Sequence, residues 1–571
     1  MPFASTIQAH AQSGDETPSH QEVAEVSRGT AGSAYIPVDS WIYPAAIRLY
    51  ELGYLPTAYL GLRPWTRVSL AHMLRVSEKT ILAGDAGTEA AGIYDRLRTE
   101  LAPEFSQQNT YNDVGRPDIR FESAYTRVRG ISGDILNDSN HLGSTVVNDY
   151  GRPYQPGINN ITGFSAQGTV SRFNLYVRGE FQHAPDGMGY TQAQGTALLN
   201  IDQPFYPTPP TPPPTFPITG LNVGPIKTSS QFRLLEANLS AHLLGHQISF
   251  GKSDEWTGPA QGAAMAFSTN AENPYAFRIN RIEPMWIPGL SRITGLFRYE
   301  FFVGSLKGHT TPNDPWVHME KINFKPTPDL EFGFERTVIW GGKGHVPINV
   351  HTFLRSFFSL TAVEPDQKFS SADPGARFGT FDFTYRMPWQ SHLVTVYADS
   401  LVHDNLSPVE NPGRMGMRPG VYISRLPHLP HADFRVEAAT TDPKDPGNVG
   451  GHLLYYETIQ REGYTNRGQI MGDWIGRQSK GGQAWFTYHL AADQSIALQY
   501  RRSKLATAFI PGGGNQQSLS LDAMLRPARD LEVRANANGE WWTIPFLDNN
   551  THHNFGATVQ VTWFPRWERH P

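Results

Sequence analysis

The sequence predicts an all-β transmembrane barrel of about 18 antiparallel strands, with a small N-terminal α-helical bundle. Three observations lead to this fold class. From about Asp118 onward, apolar residues recur at every second position, which is the period of a β-strand. Short turns alternate with long polar connections in the same region, as they do in outer-membrane barrels of bacteria. No apolar run approaches the roughly 18–20 residues that a membrane-spanning helix requires.

The composition of the 571-residue chain excludes several classes of protein. There is no cysteine, which rules out disulfides, thiolate metal sites and a cysteine nucleophile. The net charge of −5 provides no basic field for nucleic acid. The 31 Phe, 23 Tyr and 13 Trp residues suit a barrel whose strand ends carry interfacial aromatic girdles.

Residues 1–34 are expected to be a disordered or residual signal segment. Ala9-His10-Ala11 has the small-x-small form of a signal-peptidase site, although a basic region and a full apolar core are missing before it. We therefore expect the printed start to lie inside a longer signal peptide. The alternative is a disordered cytosolic tail.

Residues 35–112 are predicted to form a periplasmic helical head. A first amphipathic helix has its start signal at Asp39-Ser40 and its stop at Gly53. A second helix is expected after the N-cap Thr66 and a third after the N-cap Thr88. Each is too short to be stable alone, so the helices must pack on each other or under something larger.

Residues 113–571 are predicted to form the barrel. Similar tight hairpins are expected in INFKPTPDLEFGF, FTYRMPWQSHLVTVY, FTYHLAADQSIALQY and DAMLRPARDLEVRA. Long polar connections are expected at roughly 340–376, 401–432, 461–480, 504–516 and 541–554. In outer-membrane barrels the short turns are periplasmic and the long loops are extracellular. A large soluble all-β protein is the alternative, but it would not need this asymmetry.

The stretch GHQISFGKSDEWTGPA, residues 245–260, contains a GKS triplet but does not fit a phosphate-binding loop. Five residues instead of four separate its first two glycines, and no helix pattern follows. We interpret it as a strand that leads into a loop with a structural turn at Trp256, Gly258 and Pro259. Trp256 is expected either to anchor at the membrane interface or to buttress the loop, and stacking on a sugar is a further possibility.

Basic and aromatic residues in two long connections are the candidate polysaccharide-binding residues. They are Arg414, Arg418, Arg461, Tyr464, Arg467, Trp474, Arg477 and Lys480. Arginine and lysine pair with the carboxylates of acidic polysaccharides, and aromatic rings stack on sugar faces. The alternative is that these arginines line a wet lumen or face the phosphates of lipopolysaccharide.

The sequence provides no recognisable catalytic, metal or cofactor site. It lacks a G-x-S-x-G elbow and an H-E-x-x-H motif. The paired loop histidines, at 428 and 431 and at 552 and 553, are expected to be solvent-exposed and to bind nothing. Two carboxylates could still meet in space as in a glycosidase, which sequence spacing does not reveal.

Three stretches resemble the capsule assembly protein Wzi family. They are YIPVDSWIYPAAIRLYELGYL, GLRPWTRVSLAHML and DEWTGPAQGAAMAFSTNAENPYAFRI, and the resemblance runs from about Tyr35 to the end of the chain. It implies an outer-membrane barrel of about 18 strands with a periplasmic helical bundle, acting as a lectin that attaches capsular polysaccharide to the cell surface. The head is also similar to an S-layer-homology module, which precedes the barrel in some carbohydrate porins.

We therefore expect a monomeric, non-enzymatic protein of the bacterial outer membrane. Its expected partners are capsular or extracellular polysaccharide and the surrounding outer-membrane lipid and lipopolysaccharide, without nucleic acid or cofactor. The main alternative is a porin for sugars or other small solutes, and a barrel enzyme is a further one.

Overall fold

The computed structural model describes most of the chain, apart from both ends and six stretches between the elements. The described residues are 32–83, 88–106, 117–203, 221–360, 365–388, 393–444 and 450–565. The expected signal-peptidase site at 9–11 lies outside them, as does the predicted boundary between head and barrel at residues 112–113.

Eighteen antiparallel strands close into one barrel, which confirms the predicted fold class. Each strand pairs with its neighbours in sequence, and β1 closes the barrel by pairing with β18 from Ala124↔Trp563 to Ser132↔Phe555. The strands are β1 Asp118–Ser132, β2 Gly157–Val170, β3 Phe173–Ala184, β4 Ser229–Leu243, β5 His246–Lys252, β6 Tyr275–Arg281, β7 Leu296–Ser305, β8 Trp316–Thr327, β9 Leu330–Trp340, β10 Ala376–Arg386, β11 Val394–His403, β12 Gly416–Ile423, β13 Ala432–Thr440, β14 Ser479–Ala491, β15 Gln494–Leu505, β16 Gly514–Ala528, β17 Leu531–Thr543 and β18 His552–Trp563.

The outer wall of the barrel is apolar and the inner wall is polar. Phe173, Leu239, Phe250 and Phe555 point outward and are 53–66% exposed. Because successive side chains of a strand point to opposite faces, the alternate positions point into the lumen, where Glu180 is fully buried. An apolar belt around a closed barrel is the arrangement that lipid requires. No helix within the described ranges is long and apolar enough to cross a membrane.

The two ends of the barrel differ as predicted. Tight turns join β8 to β9, β14 to β15 and β16 to β17 at the end where β1 begins and β18 ends. Longer connections leave the opposite end, including 133–156, 253–274, 341–375 and 441–478. In this barrel type the first end is periplasmic and the second is extracellular.

The predicted long connection at 401–432 is wrong, because it contains strand β12. The true connections are 404–415 and the turn 424–431. Two glycines and Pro419 within Gly416–Ile423 conceal the strand, since both residue types disfavour strands. In the ladder between β12 and β13, Pro419 has no paired residue. Its missing N–H therefore removes no hydrogen bond from that ladder.

Three helices of the head lie where the sequence places them, followed by a fourth short one. The helices of the structure are α1 Ile42–Glu51, α2 Arg67–Ala83, α3 Glu89–Glu100, α4 Ala102–Ser106, α5 Gln192–Ile201, α6 Ser291–Thr294, α7 Val350–Phe357 and α8 Pro365–Lys368. Oγ1 of Thr66 accepts a hydrogen bond from the N–H of Ser69, and Oγ1 of Thr88 accepts one from Ala91. Gly53, at φ +97°, adopts the left-handed conformation that ends α1.

The head packs into its own apolar core and onto the periplasmic turns. Leu49, Leu70 and Leu97 are fully buried between the helices, and burial of such a side chain stabilises by about 1.5–3 kcal/mol. Nζ of Lys325, on β8, donates to the carbonyl of Pro56 at 2.9 Å. The head is therefore fixed to the barrel rather than tethered below it.

Helix α7 lies on the outside of the barrel wall. Its Phe353 packs edge-on against Phe301, which points outward from β7, with 6.2 Å between ring centroids. Arg336, which points outward from β9, donates to the carbonyls of Phe357 at 2.5 Å and Ser359 at 2.6 Å. Val350 and Leu354 are 74% and 45% exposed, and His351 and Arg355 are exposed beside them. The helix therefore covers a charged group on the lipid-facing wall and presents both apolar and basic side chains outward.

We predict that Arg336→Ala destabilises α7 locally. Loss of charged donors to the last carbonyls of the helix should lower its free energy of opening by about 2 kcal/mol. Hydrogen exchange of amides 350–358 in detergent-solubilised protein should be faster, while the barrel strands keep their rates. Arg355→Ala is the matched control, because that arginine is exposed and donates to Ser371 in the same connection and to the ring of His351 on α7, instead of to the last carbonyls of the helix. Equal exchange in both variants would contradict the role of Arg336.

Candidate functional site

The head enters the barrel and fills its periplasmic end. The N–H groups of Leu60 and Gly61 donate to the two carboxylate oxygens of Glu331, on β9, at 2.9 and 3.0 Å. A Cβ atom at position 61 would lie 2.5 Å from Oδ1 of Asp382 on the inner wall, so a larger residue than glycine would have to displace that carboxylate. The peptide chain of the head therefore touches the lumen wall directly.

The connection 253–274, between β5 and β6, folds inward and meets the head. We call it the inward loop. Nε1 of its buried Trp256 donates to the carbonyl of Ala260 at 3.2 Å. The Arg63 guanidinium lies 5.1 Å from the Trp256 ring centroid and donates to the carbonyl of Gly258 at 2.8 Å. Trp256 thus lies inside the barrel, where it joins this loop to the head, and not at the membrane interface.

Gly258 and Pro259 form a buried turn beside Asp399 of strand β11. A Cβ atom at position 258 would lie 2.5 Å from Oδ2 of Asp399, so the backbone must approach the wall without a side chain. The same oxygen accepts the N–H of Met265 at 2.6 Å. The turn therefore fixes the loop against the inner wall.

The connection 441–478, between β13 and β14, covers the inward loop from the extracellular side. We call it the covering loop. Oη of its buried Tyr455 donates to the carbonyl of Met265 at 2.5 Å. The N–H of Ser268 donates to the carbonyl of Met471 at 2.8 Å. Head, inward loop and covering loop thus follow one another along the lumen and occupy it in turn.

Five of the predicted polysaccharide-binding residues are buried among these loops. They are Arg418, Arg461, Tyr464, Trp474 and Arg477. Arg418 extends from strand β12, not from a loop, and pairs with Asp473 at 2.6 Å and Glu437 at 3.0 Å. Its guanidinium lies 5.4 Å from the ring centroid of Trp474. These side chains hold the covering loop against the barrel wall.

The other three predicted residues lie on different elements and have partly or fully exposed side chains. Arg414 ends a single turn of 3₁₀ helix before β12. Lys480 points outward from the start of β14 and pairs with Asp442 at 2.6 Å. Arg467, in the covering loop, has a side chain that is 56% exposed.

Arg467 belongs to a group of three cations on extracellular connections. We call Lys307, Lys343 and Arg467 the extracellular basic cluster. Lys307 and Lys343 share the carboxylate of Asp314, at 3.4 and 2.8 Å. The N–H of Arg467 donates to the carbonyl of Lys307 at 2.6 Å. The hydrogen bond from Lys343 holds the pKa of Asp314 below its usual value, so this carboxylate stays charged between the lysines.

A tight turn places Arg467 at the tip of a small hairpin. The two-residue strands Thr465–Asn466 and Gln469–Ile470 pair, and Arg467 and Gly468 between them have φ of +52° and +78°. This is the conformation of the two central residues of a type I′ turn. Residues other than Gly, Asn and Asp rarely adopt it, so Arg467 is an uncommon occupant. Nε of Arg467 lies 3.3 Å from Glu272 of the inward loop.

A buried histidine joins three extracellular connections. His141, in connection 133–156, contacts Asp138 at 2.9 Å and Asp202 at 2.8 Å. Asp202 follows helix α5 and also pairs with Arg477 of the covering loop at 2.7 Å. These four residues, called the loop clasp here, tie three connections together. Among the described residues, no group of three or more His, Asp and Glu side chains could hold a metal ion.

Two residues of the loop clasp, His141 and Asp202, have shifted pKa values. Burial opposes protonation of His141, but the carboxylates of Asp138 and Asp202 outweigh it and raise the pKa of His141 to about 10. Burial raises the pKa of Asp202, yet Arg477 and His141 outweigh it and hold that pKa well below its usual range. The histidine is therefore a cation at neutral pH.

Sequence reasoning singled out Arg477 but missed the other three residues of the loop clasp and both lysines of the extracellular basic cluster. Asp138 and Asp202 are far apart in the chain and lie in polar connections with no spacing rule. Lys307 and Lys343 are single cations in ordinary loop sequence. The one available signal is that the short connection 306–315 carries Lys, His and Asp together, which alone does not identify a site.

We predict that the stabilisation by His141 decreases as pH rises. Its folded pKa of about 10 exceeds the ordinary value of 6.5. The contribution is therefore complete below about pH 6.5 and is lost as pH rises toward 10. The difference in melting temperature between the wild type and His141→Asn should shrink over this interval. A difference that is constant from pH 6 to pH 10 would contradict a charged clasp.

One family model matches most of the chain. The model of the capsule assembly protein Wzi family matches residues 127–557. Among solved structures, the chain is similar to Wzi of Escherichia coli, described as an outer-membrane protein involved in group 1 capsule assembly and a carbohydrate-binding β-barrel. The identity is 15% and the TM-score is 0.63, with 94% of this chain and 100% of that one covered.

Other solved barrels are less similar. OprD of Pseudomonas aeruginosa has 9% identity and a TM-score of 0.38, with 78% of this chain and 96% of that one covered. The DcaP channel of Acinetobacter baumannii has 9% identity and a TM-score of 0.32, with 78% and 97% covered. No curated protein sequence matches the chain. Because the family match spans well over half of its length, the chain belongs to the capsule assembly protein Wzi family.

Proposed function

We propose that this protein binds an acidic extracellular polysaccharide at its extracellular face during capsule or exopolysaccharide assembly or attachment. The observation that carries the proposal is an exposed basic cluster on a barrel whose lumen is plugged. Such a barrel offers a polymer a surface instead of a passage. Membership of the capsule assembly family supports the same function, and E. coli Wzi is described as carbohydrate-binding.

The extracellular basic cluster suits carboxylate-bearing sugars. Lys343 is 75% exposed and Arg467 is 56% exposed, so both can pair with an anion without losing their protein contacts. Charge-assisted hydrogen bonds from ammonium and guanidinium groups to carboxylates are among the stronger polar contacts in proteins. The two carboxylates beside the cluster, Asp314 and Glu272, position the cations and leave a net positive charge.

The predicted residues divide into two roles in this proposal. Arg467 contacts the polymer, and Lys480 and Arg414 remain candidates at the rim. The buried residues Arg418, Arg461, Tyr464, Trp474 and Arg477 shape the covering loop that presents Arg467. We propose a monomer that binds without catalysis, surrounded by lipid and lipopolysaccharide.

We predict that the triple variant Lys307→Gln, Lys343→Gln and Arg467→Gln binds the host's own acidic extracellular polysaccharide about tenfold more weakly than the wild type. Three exposed charges contribute modestly each, and their contribution should fall further as salt rises from 50 to 300 mM. Titration of the purified, detergent-solubilised protein with the polysaccharide measures both effects.

The control removes three exposed or partly exposed basic charges elsewhere: Lys79→Gln, Arg98→Gln and Lys227→Gln. It has the same net charge as the test variant and should bind like the wild type. Equal losses in both variants would indicate a non-specific charge effect. Unchanged binding by the test variant would move the site away from the cluster, and failure of the wild type to bind would overturn the proposed function.

The plugged lumen also predicts the electrical behaviour of the protein. Because head, inward loop and covering loop occupy the lumen in turn, the wild type reconstituted in a planar bilayer should give no stable open current. The double variant Arg63→Ala, Trp256→Ala removes the side-chain contact between head and inward loop, leaves the backbone hydrogen bonds between these two residues, and should produce intermittent openings. A wild type that conducts steadily would favour the porin alternative.

A further inference from the structure

The outer wall carries an unusual row of basic residues where strands β14 and β15 reach the extracellular rim. Lys480 and Lys504 are direct cross-strand partners, and Arg502 is the partner of Gly482 two positions further down. All three side chains belong to the outward-facing set of their strands and are exposed. We call them the rim triad.

The three positive charges of the rim triad are not balanced by neighbouring carboxylates. Like charges directly opposite each other on a sheet destabilise the pair. Lys480 is partly compensated by Asp442, 2.6 Å away. In the described part of the chain, neither Arg502 nor Lys504 forms an ion pair, and their partners on β16, Gln517 and Asn515, are neutral.

The register of the strands gives the depth of the triad in the membrane. Below Arg502 on β15 the next outward residues are Tyr500 and then Leu498. Tyr500 donates from Oη to Gln517 at 2.7 Å, and Leu498 and its neighbour Leu521 on β16 are 46% and 50% exposed. Each step of two residues along a strand covers about 7 Å. The triad therefore lies directly above an aromatic residue and the apolar belt, at the level of lipid headgroups.

We propose that the rim triad binds the phosphate groups of a phosphorylated glycolipid of the outer leaflet, the lipid A type. Charge and position together select this occupant. The triad lies on the same face as the belt that contacts acyl chains, so a lipid seated against Leu498 and Leu521 presents its headgroup to Arg502 and Lys504. Arginine and lysine are the ordinary partners of phosphate, and an arginine can bind it through two parallel hydrogen bonds.

This site shares no residue with the extracellular basic cluster of the proposed function, and of the triad only Lys480 is also a candidate for the polymer. The extracellular basic cluster lies on loops 306–315, 341–375 and 441–478 above the mouth, whereas the rim triad projects sideways from the wall. One can fail without the other. A polymer in the medium would have to displace lipid to reach Arg502, whereas a lipid phosphate is already at that depth.

The test measures binding of bisphosphorylated lipid A to the full-length protein in detergent by native mass spectrometry. The double variant Arg502→Gln, Lys504→Gln should bind about thirtyfold more weakly than the wild type, because each basic residue beside an anionic lipid surface contributes about fivefold. Arg502→Lys, Lys504→Arg keeps the charges and should retain most of the binding. The control Lys79→Gln, Arg98→Gln removes two charges from the head at the other end and should bind like the wild type.

Lipid and phosphate probes separate the sources of the anion. Lipid A without phosphates should bind poorly to the wild type and equally poorly to the double variant. Inorganic phosphate at 10-fold excess over the lipid should not displace it, and displacement would overturn the lipid assignment in favour of a free anion. Equal binding of bisphosphorylated lipid A by wild type and double variant would overturn the site. Retention of the compact, heat-modifiable form on electrophoresis shows that each variant is folded.

Discussion

Charged side chains on the inner wall of the barrel need partners, and this requirement determines how the lumen is filled. Arg278, on β6, pairs with Glu255 of the inward loop at 2.5 Å and with Glu300 of β7 at 2.9 Å. Lys252, on β5, pairs with Glu272 of the same loop. Removing one partner of a buried pair costs about 3–5 kcal/mol, because the other charge is left uncompensated. The inward loop therefore supplies carboxylates that the wall requires, and it is part of the folded core rather than a movable gate.

The same network reaches the extracellular face. Glu272 pairs with Arg233 and Lys252 of the wall and lies 3.3 Å from Arg467 of the basic cluster. A cation that would bind polymer is thereby held by an anion that is itself fixed to the barrel. Preorganised contacts lose less conformational entropy on binding, so a rigid loop surface can hold a flexible polymer with few contacts. In the function proposed above, the plug therefore positions a binding residue although it is remote from the solvent.

The sequence predicts those parts of this protein whose pattern is local. Hairpins such as the one from Thr327 to Leu330 and the helices capped by Thr66 and Thr88 follow from period, turn chemistry and capping. The positions that the long connections take in the fold cannot be predicted from a local pattern. Arg418 and Trp474 look like loop residues suited to sugar, yet Arg418 extends from a strand hidden by Pro419, and Trp474 is a buried residue of the covering loop that packs against Arg418. Whether a loop folds into a lumen depends on charges contributed by many strands, and these are brought together only when the barrel closes.

The outer wall shows how this protein treats charge beside lipid. Arg336 points outward from β9 and is covered by helix α7. The carbonyls of Phe357, at the end of the helix, and of Ser359, just after it, accept hydrogen bonds from Arg336. Where Arg502 and Lys504 point outward from β15, no described element covers them. An isolated charge beside an apolar belt is costly. Because the wall covers Arg336 with a helix and leaves Arg502 bare, we infer that these two arginines contact different groups. The covered arginine is satisfied by the protein itself, and the bare pair at the rim is suited to an anion that the membrane provides.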